Sequence, residues 1–276
     1  MALRGKVFTS FVALALLVPF AAQAGETLDR VMSTKVLTMS SDPAYPPQSF
    51  LNDKNEMAGF DVDVGREIAK RMGAKLKIVT PSWEIITAGN WGGRWDMSVG
   101  SMTPTAERAK VLSFPAIYYY TPASFAVHKD SKISSVADLN GKKIGVCGGC
   151  TYEAYLKKDL TIDAEGAPAF DYKVTPGEIR LYETDTNTFD DLRLGDGVRL
   201  DAILSALPTI EEAIKNGYAM KVVGKPVFYE PLAVAVGKDD PEFSAKIAEI
   251  VKAMHADGTL SKLSQTWYGA DLTTVK

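Results

Sequence analysis

Arg108, like every arginine, has the chemistry to bind a carboxylate. Its guanidinium presents a planar fork of N–H donors that can hold both carboxylate oxygens, and it stays charged at physiological pH. Arg108 ends the segment Met102-Thr103-Pro104-Thr105-Ala106-Glu107-Arg108. The alternative is a solvated surface arginine, because Glu107 and Lys110 are its neighbours in sequence. The sequence therefore offers an anion-binding group whose partners depend on the fold.

Two cysteines, Cys147 and Cys150, form a Cys-x-x-Cys pair and are the only cysteines of the chain. Such a pair can form a disulfide, contribute to a zinc site or carry out thiol redox chemistry. Zinc would need further ligands, but there is no second cysteine pair, and His128 and His255 lie far away in sequence. We therefore predict no metal and no cofactor. The choice between a disulfide and a reactive thiol pair depends on the cellular compartment.

The N-terminus indicates export from the cytoplasm. Arg4 and Lys6 precede an apolar run from Val7 to Phe20, and Ala22-Gln23-Ala24 supplies a small-x-small cleavage site. This is the layout of a cleavable secretory signal peptide over residues 1–24, and the apolar run is short for a membrane span. An uncleaved membrane anchor is the alternative. Export to an oxidising compartment favours a disulfide over the other two uses of the cysteine pair.

Length and composition exclude several classes of protein. The chain has 276 residues, of which 46% are hydrophobic and 24% charged, which is enough to build a hydrophobic core and favours two lobes. Lys and Arg number 31 against 34 Asp and Glu, for a net charge of −3, so we predict no nucleic-acid partner. The sequence shows no Ser/His/Asp set, phosphate loop or dinucleotide fingerprint.

Strands and helices alternate along the chain, which predicts βαβ units with a mainly parallel sheet. In a helix predicted from Gly59 to Gly73, the residues Val64, Ile68 and Met72 recur on one face. The prolines of the segment from Asp42 to Pro47 predict a loop without regular structure. Other strands are predicted at Val36–Ser40, Lys75–Val79, Asp96–Val99, Ser124–His128, Lys143–Val146, Ile179–Tyr182 and Ala202–Leu204, and other helices at Ser135–Leu139, Thr151–Leu156, Phe189–Leu194, Pro208–Asn216 and Pro241–Tyr268.

Six short motifs follow one another along the chain. They are Asp42-Pro43-x-Tyr45-x-Pro47, Gly59-Phe60-Asp61-Val62-Asp63-Val64, Ser82-Trp83-Glu84, the segment that ends at Arg108, Gly141-Lys142-Lys143-Ile144-Gly145-Val146 and Ala256-Asp257-Gly258-Thr259. Together they resemble the periplasmic solute-binding proteins of ABC importers, specifically the family that binds polar amino acids. The resemblance covers nearly all of the chain after residue 24. Each motif is weak alone, but their common order makes the set specific.

The resemblance implies an α/β fold of two lobes, each a mainly parallel sheet flanked by helices, joined by two hinge crossings. It places residues 25–123 and 230–276 in the first lobe and residues 124–229 in the second. Such a protein captures a small polar ligand, an amino acid or a related carboxylate, between its lobes and delivers it to the membrane permease of an ABC importer. We expect a periplasmic monomer.

The resemblance also implies roles for residues of the first lobe. The matching arginine of the family holds the α-carboxylate of the ligand, which assigns that role to Arg108. Thr103 would add a hydroxyl and a backbone N–H to the same carboxylate, and Ser101 would offer its backbone. Tyr45 and Trp83 stand where the family has aromatic walls, which exclude water and attract cations. Packing within a lobe core is the alternative for both aromatic residues.

Three further residues match ligand contacts of the family. Asp42 matches an acid that meets the distal polar group or ammonium of the ligand, although it could simply cap its own loop. Cys150 and Thr151 follow a glycine turn that leads into a helix N-terminus, where free N–H groups favour a carboxylate. We expect contacts from their backbone and from the Thr151 hydroxyl.

One position departs from the family pattern. Relatives usually carry an aspartate that binds the α-ammonium of the ligand, but Ala206 occupies that position here. A buried ammonium without a carboxylate partner is costly. Either Glu183 or Asp185 takes over this role, or the ligand lacks an α-ammonium.

An enzymatic alternative follows from the same resemblance. Some proteins of this fold act as cyclohexadienyl dehydratases and use an acid in the cleft on a carboxylate substrate. Glu183 is the acid that the sequence offers for this role, and the loss of the ammonium-binding aspartate is compatible with it. We predict a binding protein rather than an enzyme.

Overall fold

The structure is a computed structural model and describes residues 25–238 and 240–274. The predicted signal peptide lies outside the described residues. The helices lie at Glu26–Thr34 (α1), Phe60–Arg71 (α2), Trp83–Thr87 (α3), Thr151–Lys157 (α4), Asp185–Leu192 (α5), Leu207–Lys215 (α6), Pro241–Ala256 (α7) and Thr259–Tyr268 (α8), with 3₁₀ turns at Arg108–Lys110 and Val136–Leu139. The strands lie at Val36–Ser40 (β1), Ala44–Tyr45 (β2), Ser49–Leu51 (β3), Met57–Ala58 (β4), Lys75–Val79 (β5), Met97–Met102 (β6), Leu112–His128 (β7), Lys143–Cys147 (β8), Glu178–Tyr182 (β9), Ala202–Ala206 (β10) and Met220–Gly237 (β11).

The central sheet has the strand order β5-β1-β6-β11-β7-β10-β8-β9. Parallel ladders occupy its two ends, where β1 pairs with β5 and β6, and β8 pairs with β9 and β10. The two long strands β7 and β11 run antiparallel to each other in the middle and belong to both ends. Both chain crossings between the ends are therefore strands of one continuous sheet.

Two separate hydrophobic cores lie along these long strands. On β7, Tyr118 and Tyr119 belong to the core formed with α2, α7 and α8, whereas Phe125 belongs to the core formed with α4. On β11, Leu232 belongs to the first core and Phe228 to the second. Each end of the sheet therefore carries a core of its own, as two lobes require. The lobe boundaries given above stay a prediction.

The local sequence explains why α2 forms where it does. Val64, Ile68 and Met72 are buried against the first core, which matches their helical spacing. Gly59 precedes the helix with a φ of 122°, in the region that favours glycine. A Cβ there would lie 2.3 Å from the carbonyl oxygen of Gln48. A side chain at position 59 would therefore separate the helix from the preceding loop.

The prediction that Asp42 to Pro47 lacks regular structure is wrong. Ala44 and Tyr45 form β2, which pairs antiparallel with β3. Proline cannot donate a backbone hydrogen bond, but Pro46 and Pro47 follow the last ladder residue of β2. They turn the chain towards β3 without removing a bond from the ladder.

Helix α5 begins at Asp185, four residues before its predicted start at Phe189. Thr184 caps it, because its Oγ1 accepts a hydrogen bond of 3.2 Å from the Asn187 N–H. The apolar pattern marks only the later turns, since Phe189 and Leu192 are its buried apolar residues. The earlier start puts Asp185 at the beginning of the helix, close to the residues described below.

Within the two described ranges, no helix is both long and apolar enough to cross a bilayer.

Candidate functional site

A cavity between the two lobes is lined by every site residue that the sequence predicts. These residues are Asp42, Tyr45, Trp83, Ser101, Thr103, Arg108, Cys150, Thr151, Glu183 and Asp185. The cavity holds about 470 Å³ of space between atoms, including the part open to solvent. Cys147, predicted as a possible disulfide partner of Cys150, also lines it, as do residues that the sequence analysis did not assign to the site, namely Gly100, Tyr152, Thr184 and Glu230. Both lobes and the second crossing strand therefore contribute to one cavity.

Arg108 lies at the centre of the contacts between the lobes. It follows β6 in a 3₁₀ turn and is buried. Its Nη1 donates to the Thr103 carbonyl at 2.9 Å, and its Nη2 donates to the Gly149 carbonyl of the other lobe at 2.9 Å. The guanidinium carbon lies 5.3 Å from the centre of the Trp83 ring. Burial lowers the pKa of Arg108 to about 10, and the carboxylate of Glu230 opposes this shift. Because this pKa is still well above 7, the guanidinium stays charged near neutral pH.

Glu230 is a buried acid that the sequence analysis missed. Its Oε1 accepts a hydrogen bond of 2.9 Å from the Thr103 hydroxyl of the first lobe, and a second bond from the Thr151 hydroxyl of the second lobe. Burial raises the pKa of Glu230, while those hydroxyls, that of Tyr152 and the charge of Arg108 act in the opposite direction. Its only signal in the sequence is its place at the predicted lobe boundary.

Aromatic side chains form the walls of the cavity. Tyr45 and Trp83 are half-buried and also pack against the lobe cores, so the two roles proposed for them coexist. The Tyr45 hydroxyl lies 3.3 Å from the Tyr152 hydroxyl, within hydrogen-bond distance. Tyr152 follows Thr151 directly, so the position of the predicted ligand loop was the signal that could have revealed it.

Acidic side chains also line the cavity. Asp42 accepts a hydrogen bond of 2.8 Å from the Ala44 N–H, and burial raises its pKa. Asp185 is buried, and within residues 25–238 and 240–274 its Oδ1 has no well-formed hydrogen bond, although the Ser205 hydroxyl opposes the effect of burial on its pKa. Burial raises the pKa of Asp185 to about 7, and the carboxylates of Asp42 and Glu230 add to the rise. Glu183 lines the cavity but is exposed.

The raised pKa of Asp185 makes the stability of the protein depend on pH. An unfolded aspartate has a pKa near 3.8, whereas that of Asp185 in the fold is about 7. Between these values the folded protein holds a proton that the unfolded chain has released, so stability falls as pH rises from about 4 to about 7. We expect Asp185→Asn to raise the free energy of unfolding by about 2–4 kcal/mol at pH 8 and to change it little at pH 4.

Urea denaturation of the ligand-free protein at both pH values measures this effect. Asp196→Asn is the matched control, because Asp196 is exposed and outside the cavity. An equal effect of Asp185→Asn at pH 4 and pH 8 would contradict the assignment of the titrating group.

Ala206 is buried at the end of β10, at the N-terminus of α6. An alanine side chain offers no group that could bind an ammonium. Of the two replacements that the sequence suggests, Asp185 is buried and has an oxygen without a partner among the described residues, whereas Glu183 is exposed. Asp185 is therefore the acid with the greater need for a cationic partner.

The cysteine pair forms a disulfide in the wall of the cavity. Cys147 ends β8 and Cys150 precedes α4, and the two are bonded to each other. Their sulfur atoms and a carboxylate oxygen of Asp185 lie within 4.8 Å of one another. Zinc binds cysteine as the thiolate, which a disulfide does not provide, so this group does not suit zinc while the bond is intact.

A buried acid also fixes Ser101. Asp61 accepts hydrogen bonds of 2.7 Å from the Ser101 hydroxyl and of 2.7 Å from the Tyr118 hydroxyl. The Ser101 N–H donates to the Tyr118 hydroxyl at 2.8 Å, and Ser101 has a φ of 53°. Burial raises the pKa of Asp61 to about 7, against the effect of these hydroxyls. The backbone N–H of Ser101 is therefore engaged inside the first lobe.

This geometry can be compared with that of known proteins. The family model described as "Bacterial extracellular solute-binding proteins, family 3" matches residues 37–270. The chain belongs to this family. This solute-binding protein is 28% identical over 249 residues to the L-cystine-binding protein TcyJ of Escherichia coli strain K12, covering 89% of the chain and 87% of TcyJ. It is 28% identical over 255 residues to the L-arginine-binding protein of Pseudomonas aeruginosa, covering 89% of the chain and 93% of that protein.

Solved structures of similar proteins share the fold. The solute-binding protein is 31% identical to the ancestral amino acid-binding protein AncCDT-1, a precursor of cyclohexadienyl dehydratase, with a TM-score of 0.75. The match covers 88% of the chain and 99% of AncCDT-1. Family and fold together confirm the resemblance that the sequence motifs indicate and the predicted two-lobed α/β architecture.

Proposed function

We propose that this protein is the extracytoplasmic receptor of an ABC importer and captures an amino acid between its two lobes. The observation that carries the proposal is the cavity around Arg108, which groups from both lobes enclose. Relatives that bind cystine and arginine by name cover about nine tenths of the chain. The likeness therefore extends over both lobes and over the cavity between them.

In the proposed complex, the ligand carboxylate binds to Arg108. Two of the five N–H donors of the guanidinium are used by carbonyl groups, which leaves others for a carboxylate. The ligand ammonium binds to Asp185, whose partnerless oxygen replaces the missing acid at Ala206. Tyr45 and Trp83 pack against the remainder of the ligand.

Several cross-lobe bonds support closure around the ligand by movement of the lobes. The Asp163 N–H donates to the Pro104 carbonyl at 2.9 Å, and the Thr186 hydroxyl donates to the Ala44 carbonyl at 2.9 Å. Opening would break such bonds and the packing of Tyr45 against the second core, but it would leave the buried residues of each core together. We place the hinges in β7 near residue 123 and in β11 near residue 230, which gives lobes of residues 25–123 with 230–276, and 124–229.

The proposal also covers the cellular location, the oligomeric state and the partner of the protein. After cleavage at residue 24, the mature protein acts in the periplasm as a monomer. Its closed form docks on the membrane permease of the importer, which takes up the released amino acid. The signal layout of residues 1–24 and the family support this assignment.

A thermal-shift screen of the mature protein against amino acids and small carboxylates tests the proposal. A ligand at about 100 times its Kd adds about 2.7 kcal/mol to stability, which corresponds to a rise in Tm of roughly 5–10 °C for a chain of this size. We expect one amino acid, or a chemically related group, to produce such a rise. If no compound in the library changed Tm, the proposed function would be wrong.

The enzymatic alternative has one supporting observation, the likeness to AncCDT-1, which is described as a dehydratase precursor. Glu183 lines the cavity, as a cleft acid must. Incubation with prephenate and measurement of phenylpyruvate by absorbance separates the alternatives. We expect no turnover, because Glu183 is exposed to solvent rather than enclosed beside a bound substrate.

A further inference from the structure

The two cysteines of the disulfide differ in their exposure. Cys147 is 2% exposed and belongs to the core of the second lobe, whereas Cys150 is half-buried. Cys150 also lines two cavities, the one around Arg108 and a larger one whose walls include the exposed residues Glu107 and Lys157. A small molecule that enters the larger cavity from solvent therefore meets Cys150 before Cys147.

The loop between the cysteines leaves the bond uncovered, because both of its residues, Gly148 and Gly149, lack side chains. Gly149 is exposed and has a φ of 72°, in the region that favours glycine. The rate at which a thiol attacks a disulfide depends on access to the sulfur atom. The loop therefore favours attack on this bond.

The sheet places an acid beside the disulfide. Strands β8 and β9 are parallel, with Cys147 opposite Tyr182, and the Gly148 N–H donates to the Tyr182 carbonyl at 2.8 Å. Asp185 follows Tyr182 by three residues, at the start of α5. One of its carboxylate oxygens and the two sulfur atoms lie within 4.8 Å of one another. Asp185 is therefore close to both atoms of the bond.

An acid at this place can move the proton that thiol–disulfide exchange requires. The attacking sulfur must be a thiolate, so an incoming thiol has to lose its proton. The sulfur that leaves gains negative charge, which a neighbouring carboxylate disfavours. Burial raises the pKa of Asp185 to about 7, so near neutral pH the group can both accept a proton and return one.

We propose that this disulfide is a redox-active site that exchanges with small thiols, with Asp185 as the proton acceptor. The thiol sulfur bonds to Sγ of Cys150, the bond between Cys150 and Cys147 breaks, and its electron pair goes to Sγ of Cys147. Asp185 accepts the proton of the thiol and gives it to Cys147. The products are a mixed disulfide on Cys150 and a free thiol on Cys147.

A second thiol completes the reaction. It attacks the mixed disulfide at the sulfur of the first thiol and releases Cys150, which takes up the second proton. Two thiols are thereby oxidised to one disulfide, and the protein disulfide is reduced by two electrons. This activity is separate from the capture of an amino acid, since the thiol is its only co-reactant.

Reduction of the ligand-free mature protein by dithiothreitol at pH 7, without denaturant, tests the proposal. Alkylation of samples taken over time, followed by mass spectrometry, counts the free thiols. Bis(2-hydroxyethyl) disulfide, a small unhindered disulfide, is the reference. We expect the protein disulfide to be reduced at least as fast as the reference, and slower reduction would overturn the proposal. No amino acid is present, so either result leaves the proposed function untouched.

The variant Asp185→Asn tests the proton acceptor. It should slow reduction by dithiothreitol at least tenfold, whereas Asp196→Asn, an exposed control outside both cavities, should leave the rate unchanged. Tris(3-hydroxypropyl)phosphine is a neutral reductant with no thiol proton to lose, so Asp185→Asn should not slow it. Equal slowing with both reductants, as a mere change in lobe opening would cause, would overturn the proton role. An unchanged rate with dithiothreitol would overturn it as well.

Single-cysteine variants test which sulfur is attacked. Cys147→Ser leaves the thiol of Cys150, and Cys150→Ser leaves that of Cys147. Each is incubated with bis(2-hydroxyethyl) disulfide, and mass spectrometry follows the mixed disulfide, with circular dichroism to verify folding. We expect Cys150 to react at least tenfold faster, because Cys147 is buried. Equal rates, or a faster reaction at Cys147, would overturn the assignment of Cys150.

Discussion

Replacing Arg108 with alanine should lower the affinity for the amino acid ligand at least 100-fold, about 3 kcal/mol. In the proposed complex the guanidinium is the one cation that meets the ligand carboxylate, and it is buried, so water screens the contact poorly. The substitution also removes the bond to the Gly149 carbonyl, which links the two lobes. Weaker closure therefore adds to the loss of direct binding. Calorimetric titration of wild type and variant measures the difference.

Two further variants make this test specific. Arg108→Lys keeps the charge but not the planar fork, so it should recover only part of the affinity. Arg180→Ala removes a half-buried arginine of the second lobe that is paired with Glu178 and lies outside the cavity, and it should leave the affinity unchanged. Equal affinity of wild type and Arg108→Ala would show that the carboxylate binds elsewhere in the cavity.

Replacing Asp61 with alanine should lower the free energy of unfolding by about 2–4 kcal/mol. The carboxyl group is fully buried and accepts bonds from the hydroxyls of Ser101 and Tyr118. Without it, both hydroxyls would stay buried with fewer partners, and Ser101 would lose the contact that holds its left-handed backbone. The measurement is urea denaturation at pH 4, because Asp61 is then protonated in the fold and the unfolded aspartate is close to its own pKa of about 3.8, so the difference in ionisation contributes little.

The control variants separate the hydrogen bonds from the charge. Asp61→Asn keeps both contacts, since the Ser101 hydroxyl can accept from the amide, and should cost less than half as much as Asp61→Ala. Asp53→Ala removes an exposed aspartate and should have an effect below about 0.5 kcal/mol. A loss of less than 1 kcal/mol for Asp61→Ala would contradict the structural role assigned to this acid.

Local periodicity was sufficient to predict most of the elements. The strand Lys75–Val79 has its predicted bounds, and the C-terminal helices break at residues 257–258 where Asp257 and Gly258 stand. The start of α5 could not be predicted from apolar spacing, because its first turn is polar and depends on the Thr184 cap. Nor does local sequence reveal that β7 and β11 join both lobes in one sheet, since their pairing connects residues about 100 positions apart.

The functional site, too, could be predicted from the sequence only in part. Arg108, Trp83 and Tyr45 lie in motifs whose order along the chain identifies them, and the structure places all three at one cavity. Glu230 belongs to no such motif. The hydroxyls that bond to Glu230 belong to Thr103 and Thr151, which are distant from it in sequence. Only the tertiary structure therefore distinguishes Glu230 from a surface glutamate.

The central claim is that one amino acid binds in the cavity between the lobes, and calorimetric titration of the mature wild-type protein tests it most directly. With the amino acid that stabilises the protein most in the thermal screen, we expect saturable heat, one ligand per chain and a Kd in the micromolar range or below. Absence of saturable heat with every amino acid, from a protein shown to be folded by circular dichroism, would contradict the claim.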